Sequence, residues 1–419
     1  MGIEPTLPRE HEFESCASAC SATSAKRFLD CGYSISKDRQ QVKDQKWQFS
    51  LSGDYLPVIE YSVMRLGIIG LSQSGKTTVF NALTRGDQPI TVSGGRFDVH
   101  TAVVDVPDPR VDQLSNLFEP GKTTYAKVTY ADIAGLEGSA NKSGLSGPLL
   151  NQLTQMDGFV HVVRCFENPS VPHPLGSVDP QRDISLMDAE LLLNDLISVE
   201  RKLERLSDER KKGAGRDKAQ IEREISLFER LRAVLSQEMP LREMELSTEE
   251  EKLLSGFGFL SRKPVLLLLN LSDSQTAPQI SYISQHSVVV PLQGKLEMEL
   301  AQLEPEDAAI FMDEYQIETL GLYRVISLSY ELLGLQSFFT VGKDEVRAWT
   351  VQRGALAPEA AGVIHSDLQK GFIRAEVVGY EDLISLGGLA EARSKGKLRL
   401  EGKEYLVQDG EILHVRFNL

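Results

Sequence analysis

Residues Gly70-Leu71-Ser72-Gln73-Ser74-Gly75-Lys76-Thr77 set two glycines ahead of a lysine and a hydroxyl, in the pattern G-x-x-x-x-G-K-[ST]. That spacing suits phosphate chemistry. Glycines let successive backbone N–H groups turn inward around an anion, and a helix starting at the loop adds the positive end of its dipole. Lys76 would reach the β- and γ-phosphates of a nucleotide, and the Thr77 hydroxyl would ligate Mg²⁺. Gln73, Ser74, Gly75, Lys76, Thr77 and Thr78 are therefore the candidate phosphate contacts.

Two shorter motifs follow in order. Asp132-Ile133-Ala134-Gly135 offers an acid of the Walker-B kind to hold Mg²⁺, usually through water, and a glycine to meet a γ-phosphate. Asn270-Leu271-Ser272-Asp273 stands at the position of the base-reading N-K-x-D element, so Asn270, Leu271 and Asp273 are candidate base contacts. A tetrapeptide alone carries little. Three motifs in this order, each at the end of an apolar run, point to a nucleotide site, because open α/β sheets bind ligands at strand ends.

The elements that must position these residues are legible from periodicity. Apolar runs at 65–70, 100–106, 126–132 and 158–165 alternate with helical stretches, which predicts a parallel α/β sheet. Thr77–Arg85 continues from the loop as a helix with Val79, Phe80 and Leu83 on one face. Leu192, Leu196, Val199, Leu203 and Leu206 form an a/d stripe that stops at Lys211-Lys212-Gly213-Ala214-Gly215. It resumes with Ile221, Ile225, Phe228, Leu231 and Leu235, behind an Asp217-to-Gln220 capping-box spacing. An antiparallel helical arm with a glycine tip is expected there, its charges forming a solvated face. Pro264–Asn270 and Ser287–Pro291 read as two more buried strands of the first sheet. Beyond them, strands are expected at Ser337–Thr340, Glu345–Val351, Phe372–Val378, Glu404–Val407 and Glu411–Phe417, with Gln408-Asp409-Gly410 as a hairpin turn between the last two.

The expected division is a polar leader at 1–63 and an α/β domain at 64–184 and 256–335. The arm is inserted at 185–255, and a small α+β module ends the chain at 336–419. The leader is Ser-rich and without sustained period; it reads as disordered or as a mis-assigned start upstream of Met64. No basic segment ahead of an apolar core marks a signal peptide. Lys+Arg 45 against Asp+Glu 60 gives a net charge of −15. A chain so acidic does not coat nucleic acid by charge alone, so DNA is not an expected partner and RNA contact needs a local patch. The densest such patch is Arg393, Lys395, Lys397, Arg399 and Lys403, with the arm tip at Lys211, Lys212 and Arg216 next. No apolar run reaches the roughly 18 residues of a membrane span. Four cysteines, with Cys16, Cys20 and Cys31 close together but lacking a CxxC pair, suit a reducing compartment better than a disulfide scaffold or a metal site. The cytoplasm is the expected location.

With these motifs in place the chain resembles a known family, the YchF or Obg-like ATPases of the translation-factor class of P-loop NTPases. The resemblance rests on Leu66–Leu71, Val106–Leu114, Asp132–Leu136 and His161–Asn168. It is most specific in Glu345-Val-Arg-Ala-Trp-Thr350, Ala357–Gly362 and Ile364–Ile373, and it spans essentially all of 64–419. It implies a G domain interrupted by a helical arm and followed by a TGS domain of β-grasp type. It also implies ATP hydrolysis, often in preference to GTP, with Mg²⁺, and association with ribosomes, the large subunit being the expected contact through the TGS domain or the arm. Leu136 stands where small GTPases have their water-orienting glutamine, and the resemblance points to a loop histidine, His173 in Pro172-His173-Pro174, for that task. His161, within an apolar strand, reads as a core residue.

Departures from the family pattern mark a divergent member. Ser72-Gln73-Ser74 replaces Pro-Asn-Val, which removes an asparagine able to ligate potassium. Arg96 occupies the place of the switch I threonine that completes Mg²⁺ coordination, which suggests slow turnover. Asp273 restores the guanine-type acid while Leu271 removes the lysine, so ATP stays ahead of GTP on the family's weight alone. The alternative to a hydrolytic switch is a nucleotide-gated RNA- or ribosome-binding protein with negligible turnover. A metabolic kinase fits poorly, since no acceptor-substrate motif is present.

Overall fold

Short β-branched and leucine-rich runs flanked by glycine, proline and acids make the strands of this protein, and amphipathic stretches between them make its helices. The computed structural model describes residues 64–86, 99–133, 145, 147–212, 216–273, 275–282, 284, 286–314, 317 and 319–418. The leader with Cys16, Cys20 and Cys31, the residues Arg96, Gly135 and Leu136, and the arm tip Gly213–Gly215 lie outside them.

In chain order the first elements are β1 (Arg65–Ile69), α1 (Lys76–Thr84), β2 (Val99–Asp105), α2 (Pro109–Phe118), β3 (Lys122–Thr124), β4 (Lys127–Ile133), α3 (Gly147–Thr154) and β5 (Gly158–Arg164). Two long helices follow, α4 (Pro180–Lys212) and α5 (Lys218–Leu235), then the short α6 (Thr248–Leu254). Next come β6 (Val265–Asn270), β7 (Ser287–Leu292), α7 (Gly294–Gln302), α8 (Pro305–Glu314) and α9 (Gly321–Leu332). The C-terminal part holds β8 (Leu335–Val341), β9 (Glu345–Gln352), α10 (Ala357–Ile364), α11 (Ser366–Lys370) and β10 (Phe372–Gly379). It closes with α12 (Tyr380–Leu386), α13 (Leu389–Ser394), β11 (Arg399–Glu401) and β12 (Glu411–Phe417).

The first sheet has the order β2-β4-β1-β5-β6-β7. β4, β1, β5, β6 and β7 run parallel to one another, as the alternating pattern predicts, but β2, expected to be parallel too, runs antiparallel to β4. Because both faces are covered, its central strands are largely apolar: Leu66, Ile68, Val160, Val162, Leu266 and Leu268 face one core, and Ile69, Phe159, Val163, Leu267 and Leu269 the other. Register does the positioning. Ile68 lies opposite Asp132, Ile69 opposite His161, and Arg164 opposite Asn270, so the carboxyl ends of four strands meet in one row.

The arm is a helical pair closed by its own core of Val199, Leu206, Ile221, Leu227, Phe228, Leu231 and Leu235. Each such side chain contributes about 1.5–3 kcal/mol on burial. Asp217 caps α5 by accepting from the Ala219 N–H at 3.1 Å. Among the described residues no helix is long and apolar enough to cross a membrane.

The second sheet has the order β11-β10-β12-β8-β9-β3. One face shares the core of the first domain through Phe339, Val341, Val346 and Ala348. The other is covered by α10 over Phe338, Val351 and Leu413. Here the sequence-based expectation needs correction. Glu404–Val407 is no strand, because its backbone bonds go elsewhere: Ala357 N–H donates to Tyr405 O at 2.8 Å and Val407 N–H to Ala355 O at 3.0 Å. The edge strand is β11, paired with β10. Gln408-Asp409-Gly410 is not a hairpin turn, since β12 pairs antiparallel with β10 and parallel with β8. Its donors and acceptors tie the sheet together instead, Gly410 N–H reaching Ser337 O at 2.8 Å and Asp409 accepting from Ser337 N–H at 3.0 Å and from Arg110 at 2.7 Å.

Candidate functional site

The loop between β1 and α1 is shaped by what it must avoid. Gly75 has φ 93°, and a Cβ there would lie 2.2 Å from the Asn270 amide nitrogen; at Gly70, φ 150°, it would lie 2.4 Å from Val162 O. Only glycine fits either place. Gln73 between them also takes a left-handed conformation, φ 62°.

Within this loop Lys76 Nζ donates to the carbonyls of Gly70 at 3.1 Å and Leu71 at 2.9 Å. Burial pushes its pKa down to about 8, with the charge of Asp132 opposing the shift. Thr77 Oγ1 donates to Asp132 Oδ2 at 2.8 Å. Burial holds the Asp132 carboxyl above its ordinary range, against Thr77, Lys76 and His100. Among the described residues the other carboxylate oxygen, Oδ1, is buried without a hydrogen-bond partner, and so are Ser74 Oγ and Gln73 Oε1. A buried polar atom left unsatisfied costs about 1–3 kcal/mol. All three lie on the loop or on the acid bonded to Thr77, where an external ligand would satisfy them.

Asn270 holds the loop from behind. Its Nδ2 donates to Ser74 O at 3.0 Å, and its Oδ1 accepts from the Gly294 N–H at 3.2 Å, at the start of α7. Of the other residues expected to read the base, Leu271 is buried in the core and Asp273 is exposed. Thr78 lies half-buried on α1.

The chain is similar to known proteins along most of its length. A family profile named YchF-GTPase_C, described as "Protein of unknown function (DUF933)", matches residues 335–418. The protein named "Ribosome-binding ATPase YchF" of Bacillus subtilis is 40% identical over 365 residues, 84% of this chain and 99% of the relative. Its namesake from Haemophilus influenzae is 41% identical over 364 residues, 85% of this chain and 99% of the relative. The chain belongs to the YchF family. A solved structure, the YchF GTPase of Schizosaccharomyces pombe, superposes with a TM-score of 0.73 at 31% identity, covering 84% of this chain and 98% of that one. The α/β fold with a P-loop G domain and a C-terminal domain is thus the YchF fold.

In this YchF chain the phosphate loop, Thr77, Asp132 and Asn270 converge at one strand end. His173 sits differently. Its ring is buried: Nδ1 accepts from the Leu175 N–H at 3.2 Å and Nε2 lies 2.9 Å from Asp183 Oδ2. Acceptance at Nδ1 assigns the proton to Nε2, which therefore donates to Asp183. Asp183 is held in turn by Arg182, at 3.0 and 2.8 Å.

Arg164, at the end of β5, spans the gap between the two parts. Its Nε donates to Phe166 O at 3.0 Å and its Nη2 to Val171 O at 2.7 Å, while Nη1 lies 3.5 Å from Gln73 O in the phosphate loop. Sequence reasoning missed Arg164, Asp183 and Gly294. A cation inside the apolar run His161–Cys165 was a visible signal for the first; Asp183 resembles any acid in a first helical turn, and Gly294 any loop glycine.

Proposed function

We propose that this protein binds a nucleoside triphosphate at the carboxyl end of β1 and hydrolyses it slowly to the diphosphate and phosphate. The observation that carries this reading is that buried oxygens of Gln73 and Ser74, in the loop of Lys76, and of Asp132, bonded to Thr77, have no partner among the described residues. On binding, Lys76 exchanges the carbonyls of Gly70 and Leu71 for phosphate oxygens, and the loop N–H groups wrap the β-phosphate. Thr77 and Asp132 supply hard oxygen ligands, one of them unpaired, that fit Mg²⁺. When bound, the ion neutralises charge on the phosphates. Gly135 completes the γ-phosphate contact in this reading. His173 orients the attacking water.

ATP is the expected substrate, ahead of GTP. Leu271 in the core offers the base no polar group, Asn270 is committed at both ends of its amide, and the bacterial relatives carry the name ATPase. The relatives' name, Ribosome-binding ATPase, supports ribosome association; in this reading the protein is a cytoplasmic switch that meets the large subunit through the C-terminal domain or the arm.

A second reading has a specific observation behind it. With both ring nitrogens of His173 engaged, the resting protein resembles a nucleotide-gated binder with negligible turnover. Titration with ATP and GTP, followed by single-turnover hydrolysis with and without large ribosomal subunits, separates the two. Hydrolysis lowered roughly 10²-fold in His173→Ala at unchanged affinity supports the first reading. Equal turnover in wild type and variant removes His173 from the mechanism.

A further inference from the structure

The position of His173 raises a chemical difficulty. A residue that orients water needs a ring nitrogen facing that water, yet here Nε2–H is spent on Asp183, Nδ1 on the Leu175 N–H, and the imidazole is 3% exposed. The partner acid is equally enclosed, also 3% exposed, and its second oxygen is fixed by the Arg182 fork. This is a built contact between two buried side chains.

We propose that Asp183 is a positioning residue that holds His173 in a retracted state, and that hydrolysis requires the imidazole to leave it. The inference rests on the reading of His173 given above. The loop bearing the histidine is tethered at both ends. Arg164 fastens Val171 O on the side of the phosphate loop, and Asp183 fastens the ring on the side of α4. Arg182 also binds Ser177 O at 2.8 Å, so the segment from Val171 to Ser177 is pinned while His173 is held. Asp183 lies in the first turn of α4, a helix of 33 residues. The histidine is therefore anchored to the root of the arm.

The Asp183–His173 bond is charge-assisted, and its loss shifts the balance toward the released ring by roughly tenfold or more. Turnover without ribosomes is the measurement, with nucleotide Kd and KM followed alongside. Asp183→Ala is expected to raise kcat about tenfold and to leave KM and Kd unchanged. The double variant with His173→Ala is expected to fall to the rate of His173→Ala alone, showing that the gain passes through the histidine. In ¹⁵N-histidine spectra the wild-type ring should show Nε2 and Nδ1 fixed in distinct roles, with Nε2 carrying the proton donated to Asp183, and Asp183→Ala an averaged pair. If Asp183→Ala does not fold, Asp183→Asn keeps the volume and a neutral acceptor, and should give an intermediate rise. A kcat that is unchanged or lowered in whichever of these variants folds overturns the proposal. Failure of His173→Ala to slow the wild-type reaction would instead sink the reading on which it rests, and the two failures are told apart by that single variant.

Discussion

At the end of β1, Lys76 leans on backbone carbonyls while Asp132 Oδ1, Ser74 Oγ and Gln73 Oε1 have no partner among the described residues; on the C-terminal sheet, many charged side chains are already matched. Glu376, almost fully buried, receives Arg393 at 3.3 Å, His414 Nδ1 at 3.3 Å and Arg416. Glu411 takes Arg399, and Asp382 takes Lys397 at 3.1 Å. From the run Arg393 to Lys403, only Lys395 and Lys403 have no ion pair among the described residues. Charge left over points to a ligand from outside. Charge that is internally matched holds the fold.

The sharpest test of that contrast is Lys76→Ala. Removing the cation should weaken triphosphate binding by about 100-fold or more, the upper range for hydrogen bonds to charged groups. A fluorescent-nucleotide titration that finds normal affinity would break the comparison at its stronger end.

The strand beneath the loop gives a pH test. Burial pushes the pKa of His161 from 6.5 down to about 3, with Lys76 and Arg242 adding to the effect. Above pH 6.5 the ring is neutral in both folded and unfolded chains and contributes nothing. As pH falls below that, only the unfolded chain takes up the proton, so stability declines toward the folded pKa. At pH 5 the loss is about 2 kcal/mol, at about 1.4 kcal/mol per unit. In His161→Leu that part of the acid sensitivity should vanish, as read from urea midpoints between pH 7 and pH 5. An unaltered slope would mean that His161 is not kept neutral.

Glu376→Gln probes the matched region. Loss of the carboxylate leaves Arg393, Arg416 and His414 facing one another, which should cost about 1–2 kcal/mol of stability, discounted because both arginines are half exposed. It should also steepen the salt dependence of ribosome association, because released cations become free to meet phosphates. No change in either quantity would show that the cluster was never internally balanced.

The smallest effect concerns the two unmatched lysines. Reversing Lys395 and Lys403 together should flatten the log–log salt slope of ribosome association by up to about two, at slightly under one per phosphate contact. Reversing Lys397 and Arg399 should act on stability instead, by removing the partners of Asp382 and Glu411. The opposite pattern would show that the paired residues are the ones that touch RNA.

Much of the nucleotide site was legible because its signals are local. The glycines, Lys76 and Thr77 lie within one octapeptide, and strand ends at Asp132 and Asn270 follow from short apolar runs. The arm was legible for the same reason, its leucine stripe repeating along each helix. What was not legible depends on partners far apart in the chain. Nothing near Arg393 or Arg416 announces that Glu376, 17 and 40 residues away, neutralises both. The turn at Gln408–Gly410 misled for a related reason. Its residues favour a hairpin locally, but the Asp409 carboxylate and Gly410 N–H are claimed by Arg110 and Ser337.

The pairing of β3 with β9 has a practical meaning for anyone dividing this chain. Thr123 lies in register with Val346, Gly121 N–H donates to Lys343 O at 2.9 Å, and Thr124 Oγ1 donates to Glu345 at 2.6 Å. The last strand of the C-terminal sheet is thus supplied from a segment more than two hundred residues upstream. A fragment excised at residue 335 would bare the outer edge of β9 at Glu345–Arg347, a row of N–H and C=O groups that invites pairing between molecules. Such a fragment should self-associate, and a short peptide spanning residues 121–125, donated in trans, is the natural patch for the seam.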